Sequence, residues 1–288
     1  MNKYVIYTDS ACDIKPALLA EWGVPYKSLT FRFEDSEKEY SNDDMDTATF
    51  YAKMREGGIA KTAAVNVDSF ALSFEDILKE GNDLLYLGFS SGLSTTYNSG
   101  RLAAEQLRDK YPERKIITVD TLAASAGQGM AVYLAVKKQQ EGATIEENAE
   151  YIKSIVPNLA HWFTVDDLVY LKRGGRVSPT AAFFGNMLGI KPVLHVDSEG
   201  HLTAVVKVRG RKTSVTTMAD KYAETAIAPT KGPVFISQGD CMNDAKALAA
   251  MLHERHGVDV EIITDVGPVI GAHAGPGVLA LFFLAKER

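Results

Sequence analysis

The chain has 288 residues, of which 46% are hydrophobic and 24% are charged, the mix of an ordinary globular protein. This composition excludes a disordered chain, a collagen-like repeat and a disulfide-bonded miniprotein. The formal net charge is −6 and no basic stripe is present, so nucleic acid is not expected as a partner. A chain of this length is near the size at which one hydrophobic core divides into two, so two domains are expected.

The N-terminus and the cysteines indicate the compartment. The chain enters a strand-like run at Tyr4 without the apolar segment of a signal peptide, and no apolar stretch is long enough to cross a bilayer. Cys12 and Cys241 lie far apart in the sequence. We therefore expect a cytoplasmic protein with two free thiols and no stable membrane insertion.

Three apolar runs in the first half predict β-strands, at residues 4–7, 84–87 and 116–119. Turns of small or polar residues follow them, at residues 8–10, 88–94 and 120–129. The intervening segments are helical in pattern, so βαβ units in a mostly parallel sheet are predicted. Because ligands bind beyond the carboxyl ends of such strands, these turns are the first candidates for a site.

Helical patterns lie between and after these strands. After Ser69 the apolar residues recur at helical spacing, and Gly81 occupies the position of a C-terminal glycine cap. Thr144 and Glu147 form a capping box that opens another helix. These signals place helices against the predicted sheet.

The second half has a different pattern. Residues 191–196 and 201–208, joined by a turn at 197–200, predict a β-hairpin. Further elements are predicted as a strand at 234–237, a helix to about residue 256, a strand at 260–264 and an apolar segment at 278–284. The predicted fold class is α/β with two domains. Residues 1–158 form a mostly parallel sheet with helices on both faces, and residues 159–288 form a mixed α+β sheet domain.

Ser90 lies in a Gly-x-Ser-x-Gly segment between a strand and a helix, as the nucleophile of an α/β-hydrolase does. Asp265 and His273 follow in the chain order of that triad. Only eight positions separate them, which leaves little room for the crossover that the hydrolase fold places between its acid and histidine. A serine hydrolase of acyl esters using Ser90 and His273 is therefore kept as the alternative function.

The same turn can instead form a cradle for an oxyanion or a carboxylate. Ser90, Ser91, Ser94 and Thr95 supply four hydroxyls within six positions, and Gly92 allows the backbone to approach a ligand. The following helix directs its free N–H groups toward the turn. A serine-rich helix cap would explain one of these hydroxyls but not four.

Two further clusters point to an anion. His273 stands between four glycines in residues 267–277, where an imidazole could donate to a carboxylate. Arg173 and Arg176 precede a helix start at Ser178-Pro179, which makes either an anion site or a solvated basic loop. Arg209 adds positive charge at the end of the predicted hairpin.

The helix predicted after Ser178 is apolar nearly all the way round, with Phe183, Phe184 and Met187 among its residues. Such a helix is either fully buried or lines an apolar tunnel. No metal site is expected, because His253 and His256 lack further ligands nearby.

Four segments occur in an order that resembles the DegV family of bacterial fatty-acid-binding proteins: Tyr7-Thr8-Asp9-Ser10, Ser90-Ser91-Gly92-Leu93-Ser94, Arg173-Gly174-Gly175-Arg176 and residues 271–277. The resemblance implies two α/β domains with a long-chain fatty acid in a buried tunnel between them. It also implies a non-catalytic, acyl-carrying subunit of the bacterial fatty acid kinase. A separate kinase subunit would phosphorylate the bound carboxylate with ATP, and the acyl phosphate would serve phospholipid synthesis.

Carried over by position, the resemblance implies that Thr62, Ser90, Ser91 and Ser94 hold the carboxylate, with His273 close by. It implies that Arg173, Arg176 and Arg209 face the phosphate or the partner, and that the tunnel is lined by Phe183, Phe184 and Met187. No cofactor besides the bound acid is implied. The sequence departs from the family pattern after Thr62, where Ala63-Ala64-Val65-Asn66 lacks the usual serine and proline.

Overall fold

The structure is a computed structural model that describes residues 3–177, 189–228 and 232–288. Its strands are β1 Tyr4–Asp9, β2 Tyr26–Lys27, β3 Thr30–Phe33, β4 Tyr40–Ser41, β5 Ala60–Ala63, β6 Asp83–Gly88, β7 Ile116–Asp120, β8 Leu159–Thr164, β9 Ile190–Val196, β10 Leu202–Arg209, β11 Phe235–Gln238, β12 Ile262–Asp265 and β13 Leu279–Leu284. Its α-helices are α1 Pro16–Glu21, α2 Thr47–Arg55, α3 Val67–Lys79, α4 Thr96–Lys110, α5 Ala126–Gln140, α6 Ile145–Ile155, α7 Val169–Arg173, α8 Arg211–Thr225, α9 Met242–His256 and α10 Pro268–Ala274.

The first sheet has the strand order β2-β1-β6-β7, and all of its neighbours are parallel, as predicted. Alternate residues of β6 enter different cores because side chains of a strand point to opposite faces. Leu84 and Tyr86 pack in one core with residues of α3 and α4. Leu85 and Leu87 pack in another core with residues of α5 and α6. Helices therefore cover both faces of this sheet.

The second sheet is mixed and has the order β10-β9-β8-β13-β11-β12. Strands β9 and β10 form the predicted antiparallel hairpin, whereas β11 and β12 are parallel. One face packs Trp162 and Leu281 in a core with residues of α8 and α9. The opposite face places Phe163 and Phe282 in the same core as Leu85 of the first sheet. This shared core joins the two sheets, and a domain boundary at residue 158 stays a prediction.

A third sheet, with the order β4-β3-β5, was not predicted. Two of its strands flank β3 in antiparallel register, and the pairing sets Phe31 opposite Thr62. Phe31, Phe33 and Phe50 form a buried aromatic group beneath it, with Phe31 and Phe50 edge to face at 5.3 Å between ring centroids. This packing positions β5 and with it Thr62.

The helix boundaries follow the caps. Helix α3 begins at Val67, ahead of the predicted start, because Asn66 Oδ1 accepts a hydrogen bond from the Ser69 backbone at 2.8 Å. The capping box at Thr144 is confirmed, with both of its hydrogen bonds to Glu147 formed. Within the described ranges, no helix is both long and apolar enough to span a membrane.

Candidate functional site

A cavity of about 400 Å³ lies where the two large sheets meet. Its floor is the face of the second sheet that carries Phe163, Ala280 and Phe282. Its other walls come from the segments that follow β6 and β7, from β5 and from α10. The turns predicted at residues 88–94 and 120–129 therefore do meet at one edge, as the carboxyl ends of parallel strands require.

The side of the cavity nearest the surface is polar. Its lining includes Thr62, Ser91, Ser94, Arg176 and His273, which we call the polar end. Each of these side chains belongs to a residue that is at least partly exposed to solvent. All five come from the sequence analysis, but Arg176 was assigned there to the phosphate or the partner, whereas the structure places it in the cavity lining. The five residues come from four separate segments of the chain.

Thr62 and His273 form the central contact of the polar end. Thr62 Oγ1 lies 2.8 Å from His273 Nε2, although 211 positions separate the two residues. Burial, with a smaller effect of the nearby Arg176 charge, lowers the pKa of His273 to about 4. The imidazole is therefore neutral at pH 7 and offers one N–H donor.

Gly174 makes the position of His273 possible. A Cβ at residue 174 would lie only 2.2 Å from His273 Nδ1, so any larger residue would push the ring away. The Arg-Gly-Gly-Arg segment thus contributes backbone space to the polar end as well as charge.

Arg176 is the arginine of that segment that lines the cavity. Its Nε donates to the Leu93 carbonyl at 3.2 Å, and its Nη1 donates to the Gly174 carbonyl. These bonds fix the guanidinium between the serine turn and the glycine loop. Burial lowers the pKa of Arg176 below its ordinary value, but an arginine remains charged at neutral pH.

The other two predicted arginines lie outside the cavity lining. Arg173 is exposed and stacks over the ring of Tyr170, 5.6 Å from its centroid. Arg209 is exposed at the end of β10, opposite Ile190. Phe183, Phe184 and Met187, predicted to line the tunnel, fall outside the described residues.

Ser90 has a different position from Ser91 and Ser94. It is fully buried, its Oγ donates to the Gly200 carbonyl at 2.9 Å and accepts from the Gly92 N–H, and it does not line the cavity. A Cβ on Gly92 would meet the Glu199 carbonyl at 2.7 Å. Gly92 thus allows the turn to approach the β9–β10 hairpin, and it also lines the cavity, where the sequence analysis expects the backbone to approach a ligand.

The three residues of the hydrolase alternative are not arranged as a catalytic triad. Ser90 bonds to Gly200, His273 bonds to Thr62, and Asp265 Oδ1 accepts from Gln238 at 2.5 Å. Each of the three side chains of the proposed triad is hydrogen-bonded to a residue outside the triad, and no hydrogen bond joins any two of them. A serine nucleophile with its base is therefore not assembled.

The buried part of the cavity lining holds polar groups that the sequence did not single out. The lining there includes Ser125, His161, Ser237 and Phe282, all buried, which we call the deep end. Ser125 Oγ lies 2.5 Å from the carboxyl of Asp13 and 2.9 Å from Ser237 Oγ. Burial raises the pKa of Asp13 to about 8, so this carboxyl is mostly protonated at neutral pH.

Alternation along the strands is the signal that could have revealed the deep end. His161 and Phe163 alternate with Ala160 and Trp162, and only the former pair faces the cavity. Residues 3–177, 189–228 and 232–288 contain no group of three metal-ligating side chains.

The DegV family model, described as "Uncharacterised protein, DegV family", matches residues 3–286. The chain is 40% identical to a DegV domain-containing protein of Clostridium perfringens, over 100% of this chain and 99% of the relative. It is similar to the crystal structure of a DegV lipid-binding protein from Thermotoga maritima, with a TM-score of 0.87, 30% identity and 99% of both chains covered. A DegV family protein from Thermus thermophilus, whose structure is described by its fatty acid binding, matches at a TM-score of 0.88 and 28% identity, covering 99% of this chain and 100% of that one.

Proposed function

Because the chain belongs to the DegV family, we propose that it binds a long-chain fatty acid in the cavity between its two large sheets. The observation that carries this proposal is the chemistry of the polar end. Hydroxyls of Thr62 and Ser91, the charged Arg176 and the neutral His273 converge at the opening of an otherwise largely apolar cavity. The solved relatives that bind lipids or fatty acids support the same ligand class.

The energetics favour this ligand. A sixteen-carbon chain removed from water gains about 12 kcal/mol before the costs of ordering it. The carboxylate needs several hydrogen-bond donors there, because a buried unpaired charge is expensive. The polar end supplies hydroxyl, imidazole and guanidinium donors, so the anion need not remain in bulk water.

We further propose that the protein is a non-catalytic carrier that presents the carboxylate to a separate fatty acid kinase. Ser91 both lines the cavity and is exposed, so a partner can reach the carboxylate without the acyl chain leaving its apolar site. Transfer of the γ-phosphoryl group of ATP to the carboxylate oxygen would give acyl phosphate and ADP. The exposed Arg173 and Arg209 suit contact with the phosphate or with the partner, and no cofactor other than the bound acid is proposed.

Mass spectrometry of an organic extract from the purified protein tests the binding proposal. We expect a co-purified long-chain fatty acid in near-stoichiometric amount, and stable binding when the delipidated protein is reloaded with one. A protein that co-purifies with no acid and cannot be loaded would contradict the proposal. Labelling by a serine-directed phosphonate would instead favour the hydrolase alternative.

The carrier role needs its own test. The loaded protein is incubated with ATP and a bacterial fatty acid kinase subunit, and acyl phosphate is trapped with hydroxylamine. We expect acyl hydroxamate only when both proteins are present. Charge reversal of Arg173 should lower this yield while leaving the amount of bound acid unchanged, and an equal fall in both would contradict the assigned role of that arginine.

A further inference from the structure

Helix α10, which carries His273, has no cap of its own. It is seven residues long, and a helix this short is not stable by itself, so contacts from the rest of the fold must hold it. Its first residue, Pro268, has no N–H, and the preceding Gly267 has no side chain that could cap the free N–H of Val269. The groups that fix the start of this helix therefore come from elsewhere in the chain.

Two side chains from the N-terminal part of the chain cap the start of α10. Asn42 Oδ1 accepts a hydrogen bond from the Val269 N–H at 2.9 Å, and Asp13 Oδ1 accepts one from the Gly267 N–H at 3.0 Å. Both side chains are buried, so water does not compete for these bonds. A Cβ on Gly267 would lie 2.7 Å from Asn42 Nδ2 and 2.8 Å from Asp13 Oδ1, so this cap requires glycine there.

Tyr51 of α2 holds the same segment from another side. Its buried hydroxyl donates to the Val266 carbonyl, just before α10, at 2.9 Å. A Cβ on Gly271, in the middle of α10, would lie 2.6 Å from this hydroxyl oxygen. Two of the four glycines around His273 therefore admit the side chains that anchor the helix.

Asn42 also links α10 to the third sheet. It follows β4 directly, and its backbone N–H donates to the Leu29 carbonyl, just before β3, at 3.1 Å. The same sheet carries Thr62 on β5, and Thr62 Oγ1 lies 2.8 Å from His273 Nε2. The third sheet thus places both sides of that contact, Thr62 through strand pairing and His273 through the Asn42 cap.

We propose that Asn42 and Tyr51 are positioning residues of the carboxylate site, which anchor α10 so that His273 stays in contact with Thr62. This inference rests on the proposed fatty-acid binding. Hydrogen bonds weaken steeply when donor and acceptor are misaligned, so donors that are in place before the acid arrives bind it more tightly. Neither positioning residue lines the cavity, and both act only through the helix.

Loss of the cap has a defined consequence. Without the Asn42 oxygen, the Val269 N–H would be left without its acceptor, which costs free energy. The start of α10 would move to find another acceptor, and His273, about one helical turn further along, would move with it. We therefore expect weaker binding of the acid and a more exposed imidazole.

Asn42→Ala and Asn148→Ala form the test pair. Asn148 is a fully buried asparagine of α6 whose side-chain amide donates to the Ala135 carbonyl at 2.8 Å, and it does not line the cavity. Each change removes one buried amide, so both variants should be less stable than the wild type. Titration of the delipidated proteins with octadecanoic acid should show about 10-fold weaker binding in Asn42→Ala and little change in Asn148→Ala.

The NMR signals of His273 provide a readout that a merely structural role would not move. The histidines are labelled with ¹⁵N, and the His273 signals are assigned with His273→Gln. Burial lowers the pKa of His273 to about 4 in the wild type. In Asn42→Ala this pKa should rise toward its ordinary value as the ring becomes more exposed, whereas in Asn148→Ala it should stay low.

Two milder variants serve if Asn42→Ala does not fold. Asn42→Asp keeps an oxygen that accepts from the Val269 N–H, and it should bind octadecanoic acid nearly as tightly as the wild type. Tyr51→Phe removes only the hydroxyl that anchors the same segment, and it should weaken binding by about 3-fold and shift the His273 signals. Circular dichroism and the melting temperature establish that each variant folds.

The outcomes separate this inference from the proposed function. If the wild type binds octadecanoic acid, and folded Asn42→Ala or Tyr51→Phe binds it as tightly with unchanged His273 signals, the positioning role is wrong and fatty-acid binding stands. Equal losses of affinity in Asn42→Ala and Asn148→Ala would indicate general destabilisation and would also overturn it. If the wild type binds no acid, the proposed function fails, while a shift of the His273 signals in Asn42→Ala alone would still show that Asn42 positions the ring.

Discussion

The two ends of the cavity differ in their exposure to solvent and in their hydrogen-bonding groups. The polar end, near the surface, presents donors from Thr62, Ser91 and Arg176. The residues of the deep end are buried, and the hydroxyls of Ser125 and Ser237 there bond to each other. A donor-rich end near the surface suits an anion, so we expect an elongated ligand to lie with its charged group at the polar end.

The two ends also respond to pH in opposite directions. At the deep end, burial raises the pKa of Asp13, so the folded protein favours the neutral carboxyl. At the polar end, burial lowers the pKa of His273, so the folded protein favours the neutral imidazole. Both groups are thus held uncharged near neutrality, and charge at the polar end is left to Arg176 and the ligand.

The largest expected effect concerns Asp13. Its pKa is about 8 in the folded protein against an ordinary value of 3.8, so the folded state retains a proton that the unfolded chain releases. The free energy of unfolding should therefore decrease as pH rises from about 4 to about 8, by up to roughly 1.4 kcal/mol per pH unit.

Urea denaturation at a series of pH values measures this slope. Asp13→Asn should reduce it, since an amide does not titrate. Part of the slope should remain, because burial also raises the pKa of Asp9. The exposed Asp109→Asn is the control and should leave the slope in place. Identical slopes in the wild type and Asp13→Asn would show that the buried carboxyl is not the group responsible.

The next prediction compares the fatty-acid affinity of variants at Arg176, which lines the cavity, and at Arg173, which does not. Removing the lining arginine by Arg176→Met leaves a bound carboxylate without its cation, which costs about 3 kcal/mol, or roughly 100-fold in affinity. Arg173→Met removes an equal charge from an exposed position and should change affinity little. Titration of a delipidated sample with a fluorescent fatty acid compares them, and equal losses would contradict the separate positions of the two arginines.

A smaller effect is expected from His273. Its pKa falls from 6.5 to about 4 on folding, so the unfolded chain takes up a proton first and stability decreases as pH falls through this window. His273→Gln should reduce this loss of stability at acid pH, and part of it should remain because burial also lowers the pKa of His161. His253→Gln, on an exposed position, should leave the loss as it is in the wild type. The measurement is again the free energy of unfolding against pH, and an unchanged loss of stability at acid pH in His273→Gln would refute the assignment.

Ser91 should give the smallest change. Ser91→Ala removes one of several donors to the carboxylate, and such a loss costs about 1 kcal/mol, or roughly 5-fold in affinity. Ser154→Ala, an exposed serine of α6, is the matched control. A loss as great as that of Arg176→Met would mean that the polar end depends on a single hydroxyl and not on a set of donors.

Much of the fold could be read from the sequence because its signals are local. The strand–helix alternation, the β9–β10 hairpin and the Thr144 capping box depend on residues a few positions apart. The third sheet could not be predicted this way. Strands β2 and β4 are two residues long, too short for any period to be visible, and they exist only because tertiary packing holds them.

In the site, too, local motifs could be predicted from the sequence, whereas contacts between distant segments could not. Motifs identified the residues of the polar end, but they did not distinguish Ser90, which bonds to the distant Gly200, from Ser91, which lines the cavity. The environment of His161 depends on β13 and α5, which come from remote parts of the chain. Its unpaired nitrogen becomes visible only when all neighbouring donors have been placed.

The orientation of the bound acid provides the most direct test of the proposed fatty-acid binding. A crystal structure of the protein loaded with a long-chain fatty acid brominated at its terminal carbon locates that carbon by anomalous scattering. We expect the bromine at the deep end, near Phe282, and the carboxylate within hydrogen-bond distance of Thr62, Ser91 or His273. Bromine at the polar end, or an acid bound outside the cavity, would contradict the proposed binding mode.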